Sequence, residues 1–353
     1  MNFRELKKVL ENEPSFRLKQ VKKTVFKDLI DNWRNSTTLP QDLRQKLQDY
    51  CPIFELKSEK VLSSKGGQTI KVLFKLKDYN PPTTSSQPPT GGWAPGSKIE
   101  TVLMKHKDGR RTVCVSSQAG CAMGCQFCAT GQQGFKRNLS SPEIIDQVLF
   151  FARLLKKDKE KIGNVVFMGM GEPFLNYDNV LEAIRILNDK EGFNLGARHI
   201  SISTCGITEG IKKLTEEKLQ VNLAISLHAP TNELRSKLMP ITKKYPIEKI
   251  LMTVDDYIKK TKRRVMFEYL IIDGVNDSEK EAKELANLLK KPLYFVNLIS
   301  FNPIGHSNFK PSPAWKIKKF REILEKQKIE VTQRYRFGRE IKAACGQLAG
   351  KDN

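Results

Sequence analysis

The chain has no run approaching the roughly 18 uninterrupted apolar residues of a membrane-spanning helix. Its first residues, MNFRELKKVLENEPSFRLKQVKK, contain neither the apolar segment nor the small-residue cleavage site of a secretory leader. Membrane and secreted classes are therefore set aside, and the protein reads as soluble and cytoplasmic. Acidic charge is also short: 39 Asp and Glu face 61 Lys and Arg, a formal net charge of +22. That deficit favours a polyanionic partner, because each phosphate neutralised by Lys or Arg releases a counterion. The alternative is a Lys-rich composition with no partner behind it.

A fourth cysteine is missing where three are gathered. Cys121, Cys125 and Cys128 stand in GCAMGCQFCATG with the spacing C-x3-C-x2-C. A structural zinc site is closed by four protein ligands, so an odd count argues for an iron-sulfur cubane with one iron left open. Such an iron can chelate S-adenosylmethionine and feed it the electron that cleaves it to a carbon radical. The other cysteines, Cys51, Cys114, Cys205 and Cys345, are scattered, a pattern of metal and thiol chemistry in a reducing compartment.

At 353 residues the chain has room for one large unit and a smaller one. Residues 1–60 read as a small basic helical module. Phe3, Leu6, Val9 and Leu10 share one helical face, as do Leu18, Val21, Val25 and Leu29 once Pro14 has broken the run. Lys19, Lys22, Lys23 and Lys27 fill much of the rest of the second helix, either as a solvated face or as an RNA contact.

Residues 61–106 hold two strand-like runs, Thr69 to Lys77 and Ile99 to His106. The Pro-, Gly- and Ser-rich segment 80–97 inserted between them carries Trp93, either an RNA-stacking residue or a loop anchor. From 107 to 340 strands and helices alternate. Strands are expected at Thr112–Ser117, Asn164–Met168, His199–Ser203, Val221–Leu227, Val265–Ile271 and Leu293–Ile299. Helices are expected at Ser141–Lys156, Asp178–Asn188, Ile247–Lys260 and Ser278–Lys290. Six such repeats predict an α/β fold, a partial (βα)6 TIM-like barrel with its chemistry at the C-terminal strand ends. Residues 341–353 form a tail.

The motifs FMGMGEPFLN, SISTCG, AISLHAP, ISFNP and AACGQLAG follow the cysteine triplet in order, and LKQVKK and LPQDLR precede it. Together they resemble the RlmN and Cfr family of radical S-adenosylmethionine RNA methyltransferases over nearly the whole chain. The resemblance implies one 4Fe-4S cluster on Cys121, Cys125 and Cys128. It implies S-adenosylmethionine, two per turnover, bound at Gly171, Glu172, Ser203, Ser226, Leu227, His228 and Asn302. It further implies that Cys345 carries the methyl group as an S-methylcysteine, that Glu100 accepts the proton from the adenine carbon, and that Cys114 resolves the intermediate through a transient disulfide with Cys345. Without it, Glu100 would be a plain surface carboxylate on an exposed strand, GMGEP a strand-to-helix turn with a solvated Glu, and Cys345 a small buried residue. Cys205 reads as packing.

GEPFLN and CGQLAG resemble RlmN more than Cfr, which implies methylation of carbon 2 of an adenosine in the peptidyl-transferase centre of 23S rRNA and of the adenosine 3′ of the tRNA anticodon. Carbon 8, the Cfr target, is the alternative. The implied electron donor is a flavodoxin or ferredoxin, and a monomer is the default. Two further alternatives stand: a radical enzyme acting on a protein, and a non-catalytic iron-sulfur or zinc RNA-binding protein.

Overall fold

Apolar, β-branched segments separated by amphipathic helices bury both their faces only as a parallel sheet covered by helices. In the computed structural model, which describes residues 1–77, 96–305, 307–333 and 338–350, that sheet has ten strands. Three helices come first: α1 (Phe3–Val9), α2 (Phe16–Phe26) and α3 (Gln41–Tyr50). An antiparallel ribbon of β1 (Lys57–Ser63), β2 (Thr69–Lys75) and β3 (Lys98–Lys105) then joins β4 (Arg111–Cys114). A separate hairpin follows, β5 (Gln118–Gly120) with β6 (Phe135–Asn138).

The repeats then run α4 (Ser141–Lys157), β7 (Asn164–Phe167), α5 (Tyr177–Asn188), β8 (Ile200–Thr204), α6 (Thr208–Glu216) and β9 (Asn222–Ser226). They continue with α7 (Asn232–Leu238), α8 (Ile247–Thr261), β10 (Val265–Ile271), α9 (Glu279–Leu289), β11 (Tyr294–Ser300), α10 (Ala314–Lys326) and β12 (Val331–Gln333). The large sheet has the order β1-β2-β3-β4-β7-β8-β9-β10-β11-β12, and from β4 onward every neighbouring pair is parallel.

All six expected barrel strands are present. β12 adds a seventh parallel strand outside β11, and β1 adds a third to the ribbon, crossing residue 60. Of the proline-rich segment 80–97, residues 80–95, Trp93 included, lie outside the described residues. Among those described, no helix is long and apolar enough to cross a membrane.

Local chemistry sets the helix starts. Ser140 accepts from the Glu143 amide while Glu143 reaches back to the Ser140 amide, a capping box that starts α4 with Pro142 in its first turn. α4 also receives the N-terminal module. Its buried Asp146 faces the chain's terminal ammonium at 3.4 Å and accepts from the amides of Glu55 at 2.5 Å and Leu56 at 3.1 Å. Of the four α2 lysines, Lys22 meets Asp189 at 2.6 Å and Lys19 meets Glu191 at 3.0 Å. Part of the basic face thus docks the module on the barrel.

Candidate active site

The cysteine triplet occupies the tip of the β5–β6 hairpin, and the hairpin can close only because residue 120 is glycine. Its φ is +70°, and a Cβ there would stand 2.0 Å from the Gly134 carbonyl oxygen. The Cys121 amide donates to that same carbonyl at 2.9 Å, and the Gln126 amide donates to Leu238 O at 2.9 Å, tying the loop to the end of α7. Cys121 and Cys125 are buried, Cys128 is half-buried, and all three line one cavity of ≈190 Å³. Burial pushes the Cys121 thiol up to about 12 and the Cys125 thiol well above its ordinary value. A buried thiolate needs a nearby cation, so these thiols would lose their protons as a metal arrives. No three His, Cys, Asp or Glu side chains among the described residues converge on one metal ion. A cubane needs no such convergence, because each thiolate takes a different iron.

Most of the expected cofactor residues line the same cavity. Gly171, Glu172, Ser203, Ser226, His228 and Asn302 all line the cavity, at the ends of β7, β8, β9 and β11. Leu227 does not; it is buried, and its carbonyl accepts from Arg235 Nε at 3.1 Å. Glu172 is no solvated turn residue: its carboxylate is buried and accepts from the amides of Phe174 at 3.0 Å and Cys205 at 2.8 Å. Desolvation raises its pKa while those backbone hydrogen bonds lower it. At Gly171 a Cβ would lie 2.5 Å from Gln118 Cβ, so protein packing alone already requires glycine there.

His228 has φ +59°, and its Nδ1 accepts from the Leu270 amide at 3.0 Å. Its ring meets Phe127, in the cysteine loop, edge-on at 4.9 Å. Burial first, then the neighbouring Arg235, lower its pKa to about 3, so the ring is neutral at pH 7. Asn302 donates to Cys345 O at 3.3 Å, but its buried Oδ1 has no hydrogen-bond partner among the described residues. Three thiols lining one cavity with hydroxyls, a carboxylate and an amide oxygen that has no partner among the described residues fit a cluster with a polar, amino-acid-bearing ligand beside it.

Cys114, at the end of β4, and Cys345, in the C-terminal tail, also line this cavity, and no disulfide joins them. Cys345 is exposed, not a small buried residue. Glu100 is no surface carboxylate: its side chain is 1% exposed, and it does not line the cavity. Its Oε1 pairs with Lys71 Nζ at 2.6 Å, and its Oε2 accepts from the amides of Ala349 at 2.5 Å and Gly350 at 2.9 Å. Cys205 is buried against Met123, its Sγ 3.3 Å from the thioether, as packing requires, yet it too borders the cavity.

Three residues carry weight that sequence reasoning missed. Glu268 lines the cavity from the middle of β10 and accepts from Ser203 Oγ at 2.6 Å; a lone carboxylate in the apolar run VMFEYLI was the available signal. Arg235 is fully buried, its guanidinium spread over the carbonyls of Cys205, Ser226, Leu227 and Tyr245 and the Thr242 hydroxyl. Lys71, the partner of Glu100, had no signal, because a lysine inside an alternating strand reads as solvent-facing.

Residues 115–286 match the Radical SAM superfamily. The probable dual-specificity RNA methyltransferase RlmN of Dictyoglomus thermophilum is 48% identical over 337 residues, covering 95% of this chain and 91% of its own length. The protein of the same description from Caldicellulosiruptor saccharolyticus is 45% identical over 351 residues, covering 99% and 95%. A solved radical SAM methyltransferase from Sphaerobacter thermophilus superposes with a TM-score of 0.91 at 41% identity, covering 99% of this chain and 98% of that one.

Proposed function

The chain belongs to the RlmN family of radical SAM RNA methyltransferases, and from that premise we propose that it methylates carbon 2 of adenosine in 23S rRNA and in tRNA, 3′ of the anticodon. Membership implies a 4Fe-4S cluster, S-adenosylmethionine and an RNA substrate. Carbon 2 of adenine lies between two ring nitrogens and is electron-poor, so it cannot take a methyl group as an ordinary nucleophile. When bound, the cluster and S-adenosylmethionine supply a methyl group and a 5′-deoxyadenosyl radical.

The protein's own residues do the rest. Cys121, Cys125 and Cys128 would hold three irons of the cluster. Glu172, Ser203, Ser226, His228 and Asn302 would face S-adenosylmethionine when it is bound, with Gly171 and Leu227 shaping the turns beside it. Cys345 would take a methyl group by displacing S-adenosylhomocysteine, give up one hydrogen of that methyl to the 5′-deoxyadenosyl radical, and bond through the remaining methylene to the adenine carbon, the base having left its stack to arrive. Glu100, under the tail, accepts the ring proton once the tail residues release it. Cys114 attacks the Cys345 sulfur, freeing the methylated base as a disulfide forms. Two S-adenosylmethionine molecules are used per turnover, electrons come from a flavodoxin or ferredoxin, and the chain acts as a monomer.

The supporting observation is that Cys114, Cys345 and all three cluster cysteines line the same cavity, although up to 231 positions separate them (345 − 114). Nucleoside mass spectrometry of rRNA and tRNA from a strain lacking its own enzyme, carrying this gene, tests the target. 2-Methyladenosine is expected with the native chain and none with Cys128→Ala. A product methylated only at carbon 8 would instead assign the Cfr-type reaction.

A further inference from the structure

One buried ion pair grips the tail at both ends of the segment that carries Cys345. On β2, Lys71 faces Val102 of β3, which faces Cys114 of β4, so one row across three strands leads from Lys71 to the cavity. Glu100 lies on the same face, two residues before Val102. The two side chains are 3% and 1% exposed, and their charged atoms are 2.6 Å apart. Each also holds main chain of the tail. Lys71 Nζ donates to Lys342 O at 3.2 Å, and Glu100 Oε2 accepts from the amides of Ala349 and Gly350. Residues 343–348 are thus a loop closed at its base by this pair.

Within the loop, Ala343, Ala344 and Leu348 are buried and Cys345 is exposed toward the cavity. Further bonds fix its path: the Ala129 amide donates to Gly346 O at 2.8 Å, Thr130 Oγ1 to Leu348 O at 2.6 Å, and Gln347 Nε2 to Pro303 O at 2.9 Å. Two of these anchors come from the cysteine loop itself or the residues just after it.

We propose that Lys71 is a positioning residue: with Glu100 it forms a clasp that sets where the tail presents Cys345 to the cavity. A buried pair is costly to form and costlier to break, because removing one partner strands the other charge. Using such a pair to bind backbone at two points gives the loop a defined place that alanines and glycines cannot supply through side-chain packing. That the loop matters for catalysis rests on the role proposed for Cys345; that the clasp holds the loop does not.

Hydrogen exchange with mass spectrometry on the full-length protein tests the clasp, using Lys71→Met and Gly350→Ala. The second leaves both charges in place but adds a Cβ 2.4 Å from the Lys98 carbonyl oxygen at a φ of +59°, displacing the tail end. Both variants are expected to raise exchange in residues 342–350 at least tenfold, with the strands β7 to β9 and the iron bound per chain unchanged. In both, the fraction of Cys345 that becomes methylated on incubation with S-adenosylmethionine should fall at least tenfold. Unchanged exchange in the tail, or acceleration spread evenly through the sheet, would overturn the clasp. If Lys71→Met does not fold, Gly350→Ala alone decides. If native Cys345 is never methylated while the exchange pattern holds, the clasp stands and the role of Cys345 fails.

Discussion

At the scale of single residues, the clearest consequence concerns His228. Its folded pKa, about 3, lies below the ordinary histidine value because the ring is buried beside Arg235. Above about pH 6.5 the ring is neutral in both folded and unfolded chains and costs nothing. As pH falls below that point the unfolded chain takes up a proton that the folded protein refuses, so this group removes about 1.4 kcal/mol of stability per pH unit until about pH 3. Asn tolerates positive φ and can accept the Leu270 amide, so His228→Asn should lose less stability than the native chain between pH 7.5 and pH 5, by about 2 kcal/mol in urea unfolding. Equal losses in the two proteins would contradict the assignment.

Residues also differ in how far the sequence reveals them. The triplet Cys121, Cys125 and Cys128 was legible because metal ligation demands one atom type at short spacing. Glu100 was legible as chemistry but not as environment: nothing in KIETVLMKH says that a lysine of the next strand and a tail about 250 residues away bury it. Lys71 and Arg235 were invisible for the related reason that long-range pairing decides whether a cation is solvated or buried.

Among elements, the hairpin that carries the cysteines is the most exacting. Gly120 and Gly134 both have φ +70°, but a Cβ at Gly120 meets a carbonyl oxygen at 2.0 Å while one at Gly134 meets nothing within 4 Å. Gly134, at φ +70° and ψ 174°, holds a backbone conformation essentially reserved for glycine, so Gly134→Ala should cost about 1–3 kcal/mol of backbone strain but meet no clash. Gly120→Ala should spread the base of the loop and bind a small fraction of the native iron on anaerobic reconstitution, with little change in the far-ultraviolet circular dichroism of the barrel. Full iron loading by Gly120→Ala would show that the loop does not depend on this closure.

The core strands were readable because burial on both faces leaves continuous apolar runs. β1 and β12 were not. KSEKVLS is a charged, largely exposed edge strand and VTQ is three residues long, so neither carries an apolar pattern; pairing with a neighbour makes them strands. The β5–β6 hairpin was missed because its strands are three and four residues long and are set by glycine geometry, not by alternation.

Over the whole molecule, the surplus of +22 suits an RNA substrate, although Lys19 and Lys22 use their charge to hold the helical module against Glu191 and Asp189. The order of motifs along the chain pointed to the family and to the tail's part in the site, while the anchoring of the tail by Ala129 and Thr130 emerged only in three dimensions. The meeting of the tail with the cysteine loop underlies the central proposal, that methyl transfer passes through Cys345. Tracing a labelled methyl group tests it most directly. The reconstituted protein is incubated with methyl-labelled S-adenosylmethionine, first alone and then with rRNA and reductant. The peptide containing Cys345 should gain one methyl group, and that label should then appear in 2-methyladenosine, while Cys345→Ala binds its iron and leaves the RNA unmodified. Methylated RNA from Cys345→Ala, or label reaching RNA without ever residing on Cys345, would contradict it.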